Sequence, residues 1–377
     1  MSDFLKIADF LTPINKSQLS SDQGYKEGQI GSVIKAYDEE GFPDIKTADI
    51  ILIGCGEQRG SGDEYNSTQD AIRHQLYSLF FWHSDIQLAD LGNLQRGASL
   101  NDTYAALKTV IKELLNENKI VVILGGSHDL SLAQYFAYGE NKSIVEATTI
   151  DAHIDIDMNS QLRSNHFLME MLTSEPNFIR HYNHIGFQSY YVHPRMLETM
   201  DKLRFDCYRV GSVKENIEEM EPILRNSQLL SFDISAIAHA YAPSKNNLPN
   251  GFNGEEACVL MRYAGMSPNI STVGIYGYDE DSDQNELTAK QISQMIWYLI
   301  DGRSRGTKEA SFGEIESFNE YHLVFAEVET IFLQSKKTGR WWMQMPDKKF
   351  IACSYKDYSQ ASRNEIPERW LRAMERN

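Results

Sequence analysis

Cysteine chemistry has little foothold in this sequence. Its four cysteines, Cys55, Cys207, Cys258 and Cys353, never form a CxxC pair, which excludes zinc-ribbon and thioredoxin-like arrangements. So few thiols in 377 residues make no disulfide framework and suit a reducing compartment. Long apolar runs are missing as well. No stretch approaches the roughly 18 consecutive apolar residues of a membrane span. The opening residues, MSDFLKIADFLTP, lack a basic segment followed by an apolar core, so no secretory signal is expected and the expected address is the cytoplasm. Positive charge is scarce: 36 Lys and Arg stand against 53 Asp and Glu, a net −17. Phosphate recognition wants the opposite balance, so neither nucleic acid nor an anionic membrane is expected as a partner. The acidic surface favours solubility and says little about small substrates.

What is present is an alternation of short apolar runs and helical patterns. ADIILIG (48–54), KIVVILGG (119–126), VEATTIDAH (145–153), SQLLSFD (227–233) and STVGIYGYD (271–279) read as strands. Between and around them, STQDAIRHQLYSLFF has helical spacing with Ser67 or Thr68 as N-cap. DTYAALKTVIKELLNEN (102–118), a stretch from about 194, NIEEMEPILRN (216–226), GEEACVLMRYAGM (254–266) and ELTAKQISQMIWYLIDG (286–302) also read as helices, and YNHIGFQ (182–188) is a further apolar segment. Repeated strand–helix alternation with fully apolar strands predicts an α/β fold: a three-layer sandwich, mainly parallel sheet with helices on both faces. No internal repeat or low-complexity linker interrupts it. Near the end, YHLVFAEVETIFLQ and GRWWMQMPDKKFIACS flank the turn-like SKKTG and predict an appended C-terminal β-hairpin, with Trp341 and Trp342 as packing residues. The expected division is an N-terminal extension (1–45), an α/β domain (46–302) and a C-terminal extension (303–377) packed on the same domain.

The chemistry gathers at strand ends. Residues 149–159 read TIDAHIDIDMN, so Asp151, His153, Asp155 and Asp157 alternate and share one face of an extended chain. Four such groups repel one another or hold a cation between them. Ligands of open α/β sheets collect beyond the carboxyl ends of strands, and three ends here carry metal-ligating side chains. KIVVIL runs into GGSHD, with His128 and Asp129. VEATTI runs into Asp151, His153 and Asp155. SQLLSF runs into Asp233, followed by Ser235 and His239. A lone Asp at a strand end is usually a cap or turn former, and a lone His is a packing residue. Three such ends together point to metal, because burying these groups without a cation would cost several kcal/mol each. Oxygen and imidazole donors suit Mn²⁺, and suit Zn²⁺ less well.

On these motifs the sequence resembles the arginase–agmatinase–formimidoylglutamase family of ureohydrolases. Members carry GGDHS, DAHxD and SxDxDxxDP in that order; this chain has GGSHD at 125–129, DAHID at 151–155 and SFDISAIAH at 231–239. GCGEQRGSGDEYNSTQDAIRHQLYSL is similar to the family's strand, loop and helix, and SNHF (164–167) to its loop histidine. The resemblance covers about residues 45–302. It implies an arginase-like fold and two Mn²⁺ ions that activate water for attack on a guanidinium or amidine carbon. Carried over, the first ion would be held by His128, Asp151, Asp155 and Asp233. The second would share Asp151 and Asp233 and add His153. Asp155 and His166 would serve the chemistry, His166 as proton shuttle.

The departures concern the second ion. Ser235 stands where the family has a carboxylate, and Ala238 and His239 where it has the DP pair. Gly277 aligns with an acidic group that grips the substrate guanidinium, unless Asp279 or Glu280 takes that place. The acid of GGDHS has moved to Asp129, which could support the imidazole or begin the next helix. One Mn²⁺, or another divalent ion, is therefore expected in preference to two, with His239, Asp157 or Asp129 as partial substitutes. Two readings follow: a metal-dependent hydrolase of a linear amidine or guanidine C–N bond, or a catalytically silent homologue acting as a structural or regulatory subunit with one ion or none. Formimidoylglutamate is a possible substrate, and Arg96, Arg163 and Arg195 are candidate carboxylate partners. The family implies a homo-oligomer, a trimer or hexamer.

Overall fold

The computed structural model describes residues 7–20, 24–64, 66–67, 69–243 and 248–376. Eight parallel strands form the body: β1 (Ile50–Glu57), β2 (Leu88–Leu94), β3 (Ile120–Gly125), β4 (Val145–Ile150), β5 (Ile179–Phe187), β6 (Asp206–Arg209), β7 (Leu229–Asp233) and β8 (Thr272–Tyr276). Their order across the sheet is β2-β1-β3-β8-β7-β4-β5-β6. Ahead of them in the chain, Leu11–Thr12 pairs antiparallel and Lys35–Ala36 parallel with β2 at the edge of the sheet. The strands are apolar on both faces because both faces are covered. On β1, Ile50 and Leu52 enter one core while Ile51, Ile53 and Cys55 enter the other; on β3, Val122 and Leu124 face Val121 and Ile123 in the same way. Helices Asp70–Ser78, Gly254–Met266 and Leu287–Gly306 cover the first face, and Leu100–Asn116 and Ser131–Glu140 the second.

The helix Leu100–Asn116 starts where Ser99 accepts from the Asp102 N–H and the Asp102 carboxylate accepts from the Ser99 N–H, a capping box that satisfies two amides left over at the helix start. The helix Asp70–Ser78 is capped differently from expectation. Its N-cap is Gln69 at φ 62°, with no side-chain cap bond, and Thr68, like residues 1–6, lies outside the described residues. Strands β2 and β6 were not read from the sequence. β2 breaks its apolar run with Asp90, Gly92 and Asn93, and β6 has only four residues.

The C-terminal extension holds more than one hairpin. β9 (Phe318–Phe325), β10 (Val328–Ser335), β11 (Trp341–Gln344) and β12 (Phe350–Cys353) make a separate four-stranded antiparallel sheet, followed by helices Tyr355–Ser362 and Glu368–Arg376. YHLVFAEVETIFLQ is itself a hairpin: Ala326 and Glu327 turn it with positive φ at both positions, the geometry of a tight two-residue connection. Neither residue is a usual former of that turn, so the sequence conceals it. Trp341 stacks on Tyr358 at 4.8 Å, and the Arg225 guanidinium lies 4.5 Å over Trp342. Arg225 also donates to the Trp341 carbonyl at 2.9 Å, and Arg340 to that of Met266 at 3.0 Å, tying the extension to the body.

One buried ion pair secures the helix at 70–78 to the sheet. Arg73 is fully buried and donates to Asp90 at 2.8 and 3.1 Å, to Asn93 at 2.6 Å and to the Gly92 carbonyl at 2.8 Å. Tyr77 adds a 2.8 Å bond to the same carboxylate. Arg73→Ala leaves Asp90 charged and unmatched in the interior; we expect a loss of about 3–5 kcal/mol in urea unfolding.

Candidate metal centre

Sheet order brings the strand ends together. β3, β8, β7 and β4 are consecutive neighbours, with Leu124 beside Ile275, Ile275 beside Phe232, and Phe232 beside Ile150. The residues just beyond these positions therefore stand level at the sheet's carboxyl edge. His128 Nδ1 lies 3.1 Å from Asp151, 3.1 Å from Asp155 and 3.6 Å from Asp233. Ligand atoms of His128, Asp151 and Asp233 all fall within 4.8 Å of one another. Among the described residues, these carboxylates pair only with histidine, never with lysine or arginine. The Asp155 and Asp233 side chains keep 12% and 13% exposure, so the cluster opens to solvent on their side.

The ionisation of the cluster follows from that crowding. Burial opposes charge on His128, but the Asp151 and Asp155 carboxylates, then Asp233, outweigh it and hold the imidazolium well above the ordinary histidine range. Burial, followed by repulsion from Asp151, raises the carboxyls of Asp155 and Asp233. Burial opposes ionisation of Asp151 too, yet its contact with His128 dominates and its pKa falls. Without a cation the cluster thus retains protons to relieve its own repulsion.

Hydroxyl groups set the imidazole tautomer. Ser131 Oγ donates to the His128 carbonyl at 2.8 Å, so at 2.6 Å it accepts from Ser231 Oγ. Ser231 in turn is left to accept from His128 Nε2 at 2.8 Å. Nε2 thus keeps a proton in either state, and it is the Nδ1 proton, facing the three carboxylates, that a metal ion would replace, with the freed Nδ1 lone pair as its ligand. That donor set, one nitrogen and three carboxylates with no thiolate, fits a hard divalent ion such as Mn²⁺.

The other sequence candidates are placed variously. His153 is half-buried, its Nδ1 3.9 Å from Asp151 and its ring stacked on Tyr191 at 5.0 Å. Ser235 donates to Asp151 at 2.8 Å, so it touches the cluster as a hydroxyl. Asp129 turns away from the imidazole into a buried niche at Gly60 and Tyr104, whose hydroxyl donates to it; the outer partner of His128 is Ser231. Asp157 accepts from the Asn159 N–H at 3.0 Å as a turn former. His239 bonds the Leu248 carbonyl through its backbone, and its Nδ1 is buried without a partner among the described residues. His166 heads the helix Phe167–Thr173 on a segment that folds back on Asp155, where the Leu168 N–H donates to the Asp155 carbonyl at 3.1 Å; its Nδ1 likewise has no partner among the described residues. A Cβ at Gly277 would stand 3.2 Å from both Asp233 oxygens, so this position faces the cluster and carries no acid. Asp279 caps a local turn, and Glu280 is exposed. Arg96 is committed to Glu64, and Arg163 to Glu170 and the face of Tyr104. Arg195 is exposed on the helix Pro194–Lys202. Sequence reasoning did not find Ser131 or the role of Ser231. The signal was weak: a serine in a buried strand, and another three residues after His128.

Known proteins share this frame. Residues 56–301 match the Arginase family. The formimidoylglutamase of Lysinibacillus sphaericus is 24% identical over 277 residues, 68% of this chain and 85% of that protein. That of Staphylococcus haemolyticus is 26% identical over 111 residues, which span 29% of this chain and only 36% of the relative. The crystal structure of Trypanosoma cruzi formiminoglutamase with two Mn²⁺ ions superposes with a TM-score of 0.65 at 16% identity, over 74% of this chain and 99% of that one.

Metal binding must displace the cluster's protons. With the folded pKa values of His128, Asp155 and Asp233 raised, the metal-free fold loses stability as pH rises through them, and a divalent ion restores it. The Mn²⁺-induced rise in melting temperature should therefore grow with pH and keep growing above pH ~6.5, the ordinary histidine value. Ser231→Ala should weaken Mn²⁺ binding roughly ten- to hundredfold in a metal titration, with the circular dichroism spectrum unchanged.

Proposed function

The chain belongs to the arginase family, and from that premise we propose that it is a metal-dependent hydrolase of a C–N bond in a linear amidine or guanidine, related to formimidoylglutamase and working with one tightly held Mn²⁺ ion. The observation that carries this reading is the meeting of His128, Asp151, Asp155 and Asp233 at adjacent strand tips, with no basic residue among the described residues paired to these carboxylates. A divalent ion held there would supply the Lewis acidity that makes water a nucleophile near neutral pH.

The chain's own residues do the rest. Ser231 and Ser131 hold the His128 tautomer. Ser235 donates to Asp151 and fixes the orientation of that carboxylate. His166, with its Nδ1 unpartnered on the segment over Asp155, is the proton carrier for the departing amine. Charge supports a single ion. Three carboxylates against one divalent cation leave one negative charge, which draws in a cationic amidinium; two ions would leave one positive charge, which repels it. Self-association into a trimer or hexamer belongs to the same proposal.

The silent-subunit reading is favoured by one observation, the hydroxyl of Ser235 in contact with Asp151. Two measurements separate them. The Mn²⁺-loaded chain should bind one ion and release formamide or urea from formimidoylglutamate or a simple guanidine, and EDTA should abolish that release. Asp155→Asn should lower metal occupancy and reduce turnover by at least a hundredfold. Binding without turnover on any amidine or guanidine would establish the silent subunit. Ser235→Asp should raise the occupancy from one ion towards two, and an unchanged metal count would show that residue 235 does not face a second position.

A further inference from the structure

Beside Asp151, where His153 Nδ1 lies 3.9 Å away, the cluster is bordered by partly exposed aromatic rings. His153 lies against Tyr191 in a stacked pair, centroids 5.0 Å apart and planes 25° apart. Tyr191 meets Tyr190 edge to face at 4.7 Å and 77°. Both tyrosines are exposed, Tyr190 at 61% and Tyr191 at 42%, yet both are anchored. The Tyr190 hydroxyl donates to Gln188 Oε1 and accepts from Asn250 Nδ2 at 3.3 Å. Gln188 is buried, its amide donating to the Ala152 carbonyl and its side chain to the Asn250 carbonyl, each at 2.9 Å. The Tyr191 N–H donates to the Gln188 carbonyl at 2.9 Å. The loop is thus bonded directly to the DAHID segment. Large rings on a tethered loop, with part of their surface left in water, are costly to leave uncovered. They form an amphipathic contact surface that loses little entropy on binding.

We infer that Tyr190 and Tyr191, together with the His153 ring, form the wall on which the planar amidinium or guanidinium of the substrate rests beside the carboxylate cluster. The inference depends on the hydrolase reading above and assigns its substrate recognition. A planar, weakly hydrated cation stacks on aromatic faces, and the His153 ring between Tyr191 and Asp151 brings those faces beside the acidic cluster. Arg96 and Arg163 are occupied by Glu64 and Glu170. The wall selects charge: a neutral amide of the same shape gains neither the π contact nor the field.

Acetamidine and its neutral counterpart acetamide are the probes, titrated by calorimetry or NMR into the full chain with Mn²⁺ and again in EDTA. The chain should bind acetamidine at least tenfold more tightly than acetamide. Tyr190→Ala/Tyr191→Ala should weaken acetamidine binding about tenfold without changing Mn²⁺ affinity or melting temperature, whereas Tyr191→Phe, which keeps the ring, should stay within about twofold. Equal affinity for the two probes, or an alanine double variant that binds acetamidine like the parent, overturns the inference. The hydrolase reading fails separately: a chain that binds acetamidine through these rings and turns over no amidine retains the wall and loses the reaction. If the double variant melts early, Tyr191→Leu replaces it, with the same loss expected.

Discussion

Three acidic side chains share one imidazole nitrogen, and among the described residues no ammonium or guanidinium pairs with them. In a partly dehydrated pocket this arrangement is unfavourable until something positive enters it. Protons are the least specific answer, and they account for the raised pKa values of His128, Asp155 and Asp233. A divalent ion is the better one, since it meets all four donors at once. The rest of the structure serves this constraint. The sheet delivers the strand tips, the serine pair prevents the wrong imidazole tautomer, and solvent reaches the cluster along one side.

The sheet order explains why such a site exists at all. β3 and β4 are consecutive in the chain, but β8 and β7 are inserted between them. Four strand ends therefore meet at the centre of the sheet, three bearing ligands and the fourth, β8, bearing Gly277. Glycine there lets the backbone pass close to Asp233 at φ 83°, a conformation that side chains rarely adopt. The centre is acidic but sparing in acid, because Ser235 and Gly277 both face it without a carboxylate.

The C-terminal extension grips the opposite end. Arg372 and Arg376 reach Asp206 at the start of β6, Arg225 precedes β7, and Met266 precedes β8. It is fastened largely through guanidinium groups, with Arg225 over Trp342 and Arg340 against Glu221. The carboxyl edge stays open as a result. An extension rich in aromatics and charged pairs reinforces the body without entering the site.

Much of this was legible beforehand. Uninterrupted apolar runs showed strands buried on both faces, and acidic residues at their ends showed where a cation would lie. β2 and β6 stayed hidden, because Asp90 and Asn93 serve Arg73 and interrupt the hydrophobic pattern. The second hairpin stayed hidden because its turn uses Ala326 and Glu327. Chain spacing determined which residue types reach the carboxyl edge, since alternation along a strand is local geometry. Only the tertiary structure decided which of them meet. Ser231 holds His128 across 103 residues, Asp129 turns from the cluster to Tyr104, and His153 leans on Tyr191. Those outcomes depend on strand order and register, which bring distant segments within a few ångströms and leave no trace in local sequence spacing.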